Sequence, residues 1–519
     1  LAHPLITPDK SVASFARAFE LLLNVRPGIL ASEYGGELSW LKEIRKRDAG
    51  RWFSQGLPSR KDEAWKYTSV VELSSASGNA EITLAKDFTA NSSSQKPGQL
   101  IDHMRTQLPP QLNDQLAGEI SVHLAAERDV QAEIIFLNGY FSAELTRQQL
   151  PPGVSILVLS ELFRECMEHG WTPERLHKLR AFREHLTDSD ADKETVFAAI
   201  NTSFMQDAVL IHVDAGVILT KPIVVSHFIR GEQARLGDQV SHRAGSSILM
   251  VSPRLFADLG SRSEVAILEK YISIDSDVES ASGHALSFAN SVSDIHLGHG
   301  SKLSHCRVQQ SLGQKHVHIG TTRVRQESAS CSEVFEFSLD GKIIRNDLHV
   351  SLEGEGAEAI VDGLYLGSGK HHIDNHTKIE HVVGRTSSQQ LYKGILTDQA
   401  RAVFNGCIHI HKDAQKSNSA QLNNNLLLSR QAEIDTKPEL EIEADDVKAT
   451  HGATIGQLDP EHLFYLQARA ISAGHAKALL ARGFAFDVVL KISNGNLRNC
   501  IKELVDAKCS RMIEGEAGR

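Results

Sequence analysis

From about residue 208 to about residue 455 the chain keeps a two-residue alternation and gives almost no helical signal. VLIHVDAGVIL (209–219), KPIVVSHFI (221–229), SSILMVSP (246–253), EVAILEKYIS (264–273), KLSHCRVQQ (302–310) and KHVHIG (315–320) open the series. SEVFEFSLDGK (332–342), NDLHVSLEG (346–354), TKIEHVVG (377–384), GCIHIHK (406–412) and ELEIEADD (439–446) continue it. Short runs of this kind, bounded by Gly, Asn and Asp, read as strands. A sandwich needs fewer strands, and a βαβ sheet needs helices between them. A coil of short stacked strands, a β-helix, fits best. The sequence shows no strict repeat and no aliphatic residue at every sixth position, so the coils are expected to be irregular.

Helical spacing flanks this block. Val12, Phe15, Phe19 and Leu22 fall on one helical face, and GELSWLKEIRKRDAGRWF (36–53) is a second amphipathic run. The Ser-, Ala- and Asn-rich stretch 71–100 reads as loop or irregular strand. Strands are expected in AEIIFLNG and VSILVLS, and helix again over 161–206. After the block, Asp459 followed by Pro460 gives an N-cap with Pro at the first helical position. Ser472 can cap a second helix, in which Ala476, Leu480, Phe484 and Val488 stand four apart. The organisation read from this is a mostly helical domain over 1–207 with some strands, a β-helix core over 208–458 and a helical domain over 459–519.

Composition narrows the function classes. Hydrophobic residues at 41% and charged residues at 23% describe an ordinary globular protein. A net charge of −10 argues against a broad nucleic-acid or anionic-membrane surface. No apolar run reaches the roughly 20 residues that cross a bilayer. The N-terminal run lacks a basic segment followed by an apolar one, so no secretory leader is read there. The six cysteines, at 166, 306, 331, 407, 500 and 509, form no CxxC pair. Reduced thiols in a cytoplasmic protein are the expectation.

The short motifs are weak. GLYLGSGKHH (363–372) suggests a phosphate loop, but position 364 is Leu where the first Gly should stand, and His371 follows Lys370 in place of Ser or Thr. It reads as a Gly-rich corner between coils. The histidines at 371, 372, 376 and 381 and the pair His409/His411 have the ligand type of a metal site. His409 and His411 would share a strand face. No three-ligand spacing is visible, and a site needs three or four convergent ligands. Glu439, Glu441 and Glu443 alternate along one strand and read as a solvated face. In SRKDEAWKYTSV (59–70), Trp65 and Tyr67 read as buried anchors among wet charges.

Four longer segments carry more. RKDEAWKYT (60–68), GLYLGSGKHHIDNHTKIEH (363–381), YKGILTDQARAVFNG (392–406) and HGATIGQLDPEHLFYLQARAIS (451–472) resemble the SufB/SufD family of iron–sulfur cluster assembly scaffolds. The likeness is strongest over about 345–490 and is closer to the SufD-type than to the SufB-type members. It implies a mainly β fold, a right-handed parallel β-helix with helical ends. It also implies a SufB-like partner paired through the β-helix and a SufC-like ABC ATPase held by the C-terminal helices. The resemblance assigns His451 to a histidine proposed as ligand of a transient iron–sulfur cluster shared with the SufB-like subunit. Many relatives carry Cys two residues before that histidine, where this chain has Ala449. Leu480, Phe484 and Val488 become the expected ATPase-docking residues.

The expectation is thus a non-catalytic scaffold subunit that holds no stable cluster when isolated and binds neither nucleic acid nor membrane. Self-association of the isolated chain stays open. Two other classes compete: a structural adaptor for the ATPase without cluster contact, and a β-helix enzyme acting on polysaccharide. The last would need a groove of clustered acids or Arg, which the sequence does not display.

Overall fold

The computed structural model describes residues 12–25, 39–73, 81–84, 129–187, 195–230, 247–274, 286–312 and 315–517. Most of the Ser- and Asn-rich stretch 71–100, and the side chain of Leu22, lie outside this set. The N-terminal part contains α1 (Ala13–Val25), α2 (Ser39–Gln55), β1 (Glu81–Leu84), β2 (Ala132–Leu137), β3 (Tyr140–Phe141), β4 (Arg147–Gln148) and β5 (Val154–Val158). Then follow α3 (Leu159–His169), α4 (Pro173–Thr187) and α5 (Val196–Phe204). The strands β6 (Val209–Val213), β7 (Ile223–Arg230), β8 (Ser247–Val251) and β9 (Arg254–Leu259) lead into the regular part.

That part alternates between two sheets. One takes β10 (Glu264–Ile274), β12 (Lys302–Leu312), β14 (Cys331–Ser338), β16 (Glu358–Gly367), β18 (Ser387–Leu396), β20 (Asn418–Leu427) and β22 (Lys448–Gly456). The other takes β11 (Leu286–Leu297), β13 (His316–Gln326), β15 (Ile343–Leu352), β17 (His372–His381), β19 (Arg401–Ile410) and β21 (Glu433–Ile442). Each strand pairs in parallel with the one two places on, which makes a β-solenoid of about six turns. β2 extends the first sheet through β7, and β5 extends the second through β6. The sheets therefore begin before residue 208.

The missing repeat has a geometric cause. Register partners stand 26 residues apart at Val317 and Ile343, 29 at Ile373 and Ala402, and 32 at Ala402 and Ile434. Corners absorb the difference, so strands stay in register while the sequence loses its period.

Alternation sorts the side chains. Val361, Tyr365, Tyr392, Ile373, Ile379, Ile408 and Ile410 point inward into one apolar core between the sheets. Polar ladders run beside it: Asn346 Nδ2 donates to Asn375 Oδ1 at 3.0 Å and Gln421 Nε2 to Gln390 Oε1 at 2.6 Å. Such buried amides persist because they satisfy one another. The outer face of the β11–β13 region is covered by α1, α2 and α5 through Phe15, Phe19, Trp52, Phe197 and Phe204. The segment 57–73 continues across this sheet as a strap. Trp65 is buried against Phe197, with the Arg345 guanidinium 3.8 Å over its ring, and Thr68 bonds Asp374 and His372. Trp65 is thus the expected anchor. Tyr67 is 41% exposed and is not.

Three C-terminal helices follow, α6 (Pro460–Gln467), α7 (Ala473–Val489) and α8 (Gly495–Ala517); α7 and α8 cover the outer face of the β14–β18 region, and α6 leans on α7. The Asp459 carboxylate caps α6 by accepting from Glu461 N, and Ser472 Oγ caps α7 by accepting from His475 N. Ala481, Ala485, Val488, Val489, Leu497, Ile501 and Val505 pack on Phe335, Phe337, Leu364 and Ile395. Ion pairs fix the helices in place: Lys491 with Asp362 at 2.8 Å and Lys508 with Asp340 at 2.5 Å.

Candidate functional site

Among the described residues, the solenoid stops without a cap. β21 and β22 end their sheets, each bonded to a neighbour on one side. A parallel edge of this kind leaves backbone donors and acceptors for another strand. Leu422, Ile442 and Ile455 are exposed on these last coils. Short edges and charges usually protect such ends, and here β22 is instead nearly bare of burial over its nine residues.

His451 lies on β22 in a defined column. Val361, Gln390, Gln421 and His451 are successive register partners. Val361, Gln390 and Gln421 are buried inside the solenoid, and Gln390 Nε2 donates across to Thr377 Oγ1 at 2.8 Å. By register His451 takes the same inward face, but no coil follows to cover it, and it is exposed. Gln421 Oε1, one coil below, is buried without a hydrogen-bond partner. Ala449 occupies the neighbouring inward column above Ser388 and Ser419. It packs on the core, so this position contributes no thiol.

The cysteines do not assemble into a ligand set. Cys166, Cys306, Cys500 and Cys509 are buried and Cys331 and Cys407 half-buried. Burial raises the thiol pKa of Cys166, Cys306, Cys331, Cys407 and Cys509, to about 11 for the last two. Thiolates, the form that binds iron, are thereby disfavoured.

The row Leu480, Phe484 and Val488 is not one free face. Val488 is fully buried in the chain's own core. Phe484 is half-buried beneath Lys393, whose ammonium sits 4.1 Å over the ring. Leu480 is half-exposed. With Ala476 also buried, the row lies along the packed side, its middle two residues at the margin. The exposed apolar groups are Phe464 and Tyr465 on α6, a helix with no buried residue, together with Leu479 and Leu490. Beside them a groove of about 590 Å³ is lined by Ile471, His475, Ala478, Leu479, Arg482 and Cys509.

The remaining motifs resolve by position. Gly369, with φ +61°, and Lys370 form the corner between β16 and β17, which accounts for the Gly-rich run without a phosphate. His371 is buried at that corner, His372 meets Thr68, His376 meets Asp374, and His381 is buried between Thr386 and Ser388. These four diverge. His409 and His411 do converge, and Glu380 from the adjacent coil joins them. Spacing could not show this third group, because it arrives through the register Glu380–His409. Among the three alternating acids, Glu439 pairs with Lys437 and Glu443 with His409, while Glu441 is exposed.

Residues 242–484 match the SufBD core domain of the SUF system for iron–sulfur cluster assembly, and residues 127–225 match the SufBD protein N-terminal region. The chain belongs to the SufB/SufD family. It is 29% identical to an iron–sulfur cluster assembly SufBD family protein of Synechocystis, over 90% of this chain and 92% of that protein. The iron–sulfur cluster assembly protein SufD of Escherichia coli is 26% identical over 89% of this chain and 90% of its own length. A chloroplastic protein of Arabidopsis thaliana, ABCI7, is 28% identical over 88% and 84%. Family and relatives together support a role in iron–sulfur cluster assembly. No described helix is long and apolar enough to cross a membrane.

Proposed function

We propose that this SufB/SufD family member is a non-catalytic scaffold subunit, the SufD-type half of a SufB–SufC–SufD-like complex. One observation carries the reading: an inward-facing polar column ends at an exposed histidine on an edge strand paired on one side only. A SufB-like solenoid stacked on β21 and β22 would bury Ile442 and Ile455 and cover His451. The imidazole would then be one ligand of a nascent iron–sulfur cluster, the cargo of the complex, with thiolates supplied by the other subunit. A cluster shared between two chains is held by fewer bonds from each, which suits transfer better than electron carriage.

The C-terminal helices are the proposed seat of a SufC-like ABC ATPase. The exposed Phe464, Tyr465 and Leu479 and the adjoining groove support this better than Val488 does. Aromatic anchors of this kind each carry about 2 kcal/mol or more when buried at an interface.

The test is co-expression with SufB-like and SufC-like subunits. His451→Ala should leave the complex assembled and lower its cluster yield. Wild-type yield from that variant would favour the second reading, an adaptor without cluster contact. Phe464→Ala with Tyr465→Ala should release the ATPase while retaining the SufB-like subunit. Full retention of the ATPase would place its seat elsewhere.

A further inference from the structure

The outer face of the β17–β19–β21 sheet carries a cluster that the proposed scaffold function does not use. Ile379, Ile408 and Ile410 point inward, so Glu380 and His409 point outward from adjacent coils, and His411 follows at the corner. Glu380 Oε1 lies 3.7 Å from His409 Nδ1 and 3.8 Å from His411 Nε2. The two imidazole rings are 4.0 Å apart, inclined by 32°. The three donor atoms all lie within 4.8 Å of one another.

The hydrogen bonding around the cluster turns a lone pair of His409 toward its centre and leaves His411 Nε2 unengaged. Glu443 Oε1 is 3.2 Å from His409 Nε2, so that nitrogen carries the proton and donates, and Nδ1 keeps its lone pair. His409 Nδ1 and His411 Nε2 are both buried atoms without a hydrogen-bond partner. They face a carboxylate oxygen of Glu380, whose other oxygen is engaged by His349 Nε2 at 2.5 Å. With His411 in the tautomer that protonates Nδ1, both nitrogens and the carboxylate oxygen are free to bind one cation placed between them. Lys378 supplies one positive charge, with Nζ 2.8 Å from Oε1, but its side chain is 46% exposed and free to swing outward.

We propose that Glu380, His409 and His411 form a binding site for a divalent first-row transition-metal ion. Two imidazoles and one carboxylate suit Zn²⁺ or Fe²⁺ and not Mg²⁺ or Ca²⁺, which take oxygen ligands. With metal–ligand bonds of about 2.0–2.1 Å, tetrahedral donors stand about 3.4 Å apart, so the two Glu380 distances close by a few tenths of an ångström and the two imidazole nitrogens by up to about 1.4 Å. Open positions remain for water or another ligand. Glu443 on the far nitrogen of His409, and His349 on the far oxygen of Glu380, are the outer partners that orient such ligands. The site lies on the sheet opposite the one that carries His451 and does not depend on the cluster reading.

The experiment is calorimetric titration of the full chain with Zn²⁺, in parallel with Co²⁺ as a visible-absorption probe. The wild type should take up one tight equivalent, with the cobalt form showing bands of low-coordinate cobalt. His411→Ala removes no hydrogen bond of the imidazole Nε2, so the fold should hold, as a circular dichroism melt would verify. It should weaken that equivalent at least tenfold. His409→Ala/His411→Ala should abolish it. His451→Ala should keep it in full, which separates this site from the proposed cluster ligand. Unchanged uptake in the double variant, or no tight equivalent in the wild type, overturns the proposal.

Discussion

Acidification between pH 7 and pH 5 should weaken this fold, and buried histidines set the size of the effect. His227 is stacked between Phe136 and Tyr271, with ring centroids 4.8 and 4.9 Å away. His316, His371 and His381 are likewise buried. Burial lowers the pKa to about 4 for His227, His371 and His381 and to about 3 for His316. The unfolded value is about 6.5. A depressed folded pKa means the unfolded chain takes up protons first as pH falls. The stability is present above about pH 6.5 and is lost toward pH 4. Each such histidine then costs about 2 kcal/mol between pH 7 and pH 5. Asp207 works the other way. Burial raises it to about 6, so the folded state gains a proton there and recovers about 1 kcal/mol. The four histidines outweigh it by several kcal/mol, a large part of a typical net stability of about 5–15 kcal/mol. Urea denaturation at half-unit pH steps measures the slope. His381→Gln should keep the contact to Ser388 and flatten the slope by about one proton, or about 1.4 kcal/mol per pH unit. A slope unchanged by that substitution would refute the assignment.

Gly394→Ala should destabilise the chain by about 1–3 kcal/mol in the same assay, because its Cβ would fall 2.1 Å from the Tyr365 ring inside the solenoid. Trp65→Ala should cost about 3–5 kcal/mol and expose the strap to limited proteolysis, since it removes the ring that Arg345 and Phe197 enclose. The isolated chain should purify colourless and fail to retain a cluster after reconstitution and desalting; a stable visible spectrum would contradict the ligand count drawn from its buried thiols. It should also hydrolyse no ATP above the level of Lys370→Ala, because that lysine sits at a strand corner without a helix N-terminus.

The solenoid was legible because period two is a local property. KLSHCRVQQ, SEVFEFSLDGK and GCIHIHK each declare an inner and an outer face without reference to any other segment. The caps at Asp459 and Ser472 were legible for the same reason, since each bond closes within three residues. Register was not legible. Corner lengths vary, so nothing in the chain says that Glu380 stands beside His409, or that β2 and β5 continue the two sheets. What covers the helix face over 476–488 was not legible for a related reason. A spacing of four marks an apolar face but not what covers it, and here the chain's own sheet and α8 take Ala481, Ala485, Val488 and Val489.

The inward and outward sides of one strand stack serve different chemistry, and this constrains what each histidine can do. Inside the solenoid a histidine is taken out of water by the coil above it. His318 and His381 are held neutral this way; His318 bonds Ser291 of the adjacent coil, and His381 bonds Thr386 and Ser388 across the corner to the other sheet. His451 has the same orientation without that coil, so whatever stacks on the open end decides its environment. If the stacking surface were apolar, burying the ring would leave its nitrogens unpaired, at a cost of about 1–3 kcal/mol. An occupant that supplies an electrophile or a hydrogen-bond partner at that point is therefore favoured over one that only covers the edge. In the proposed complex, burial of the exposed Ile442 and Ile455 would drive association, and the histidine would select which partner can complete it.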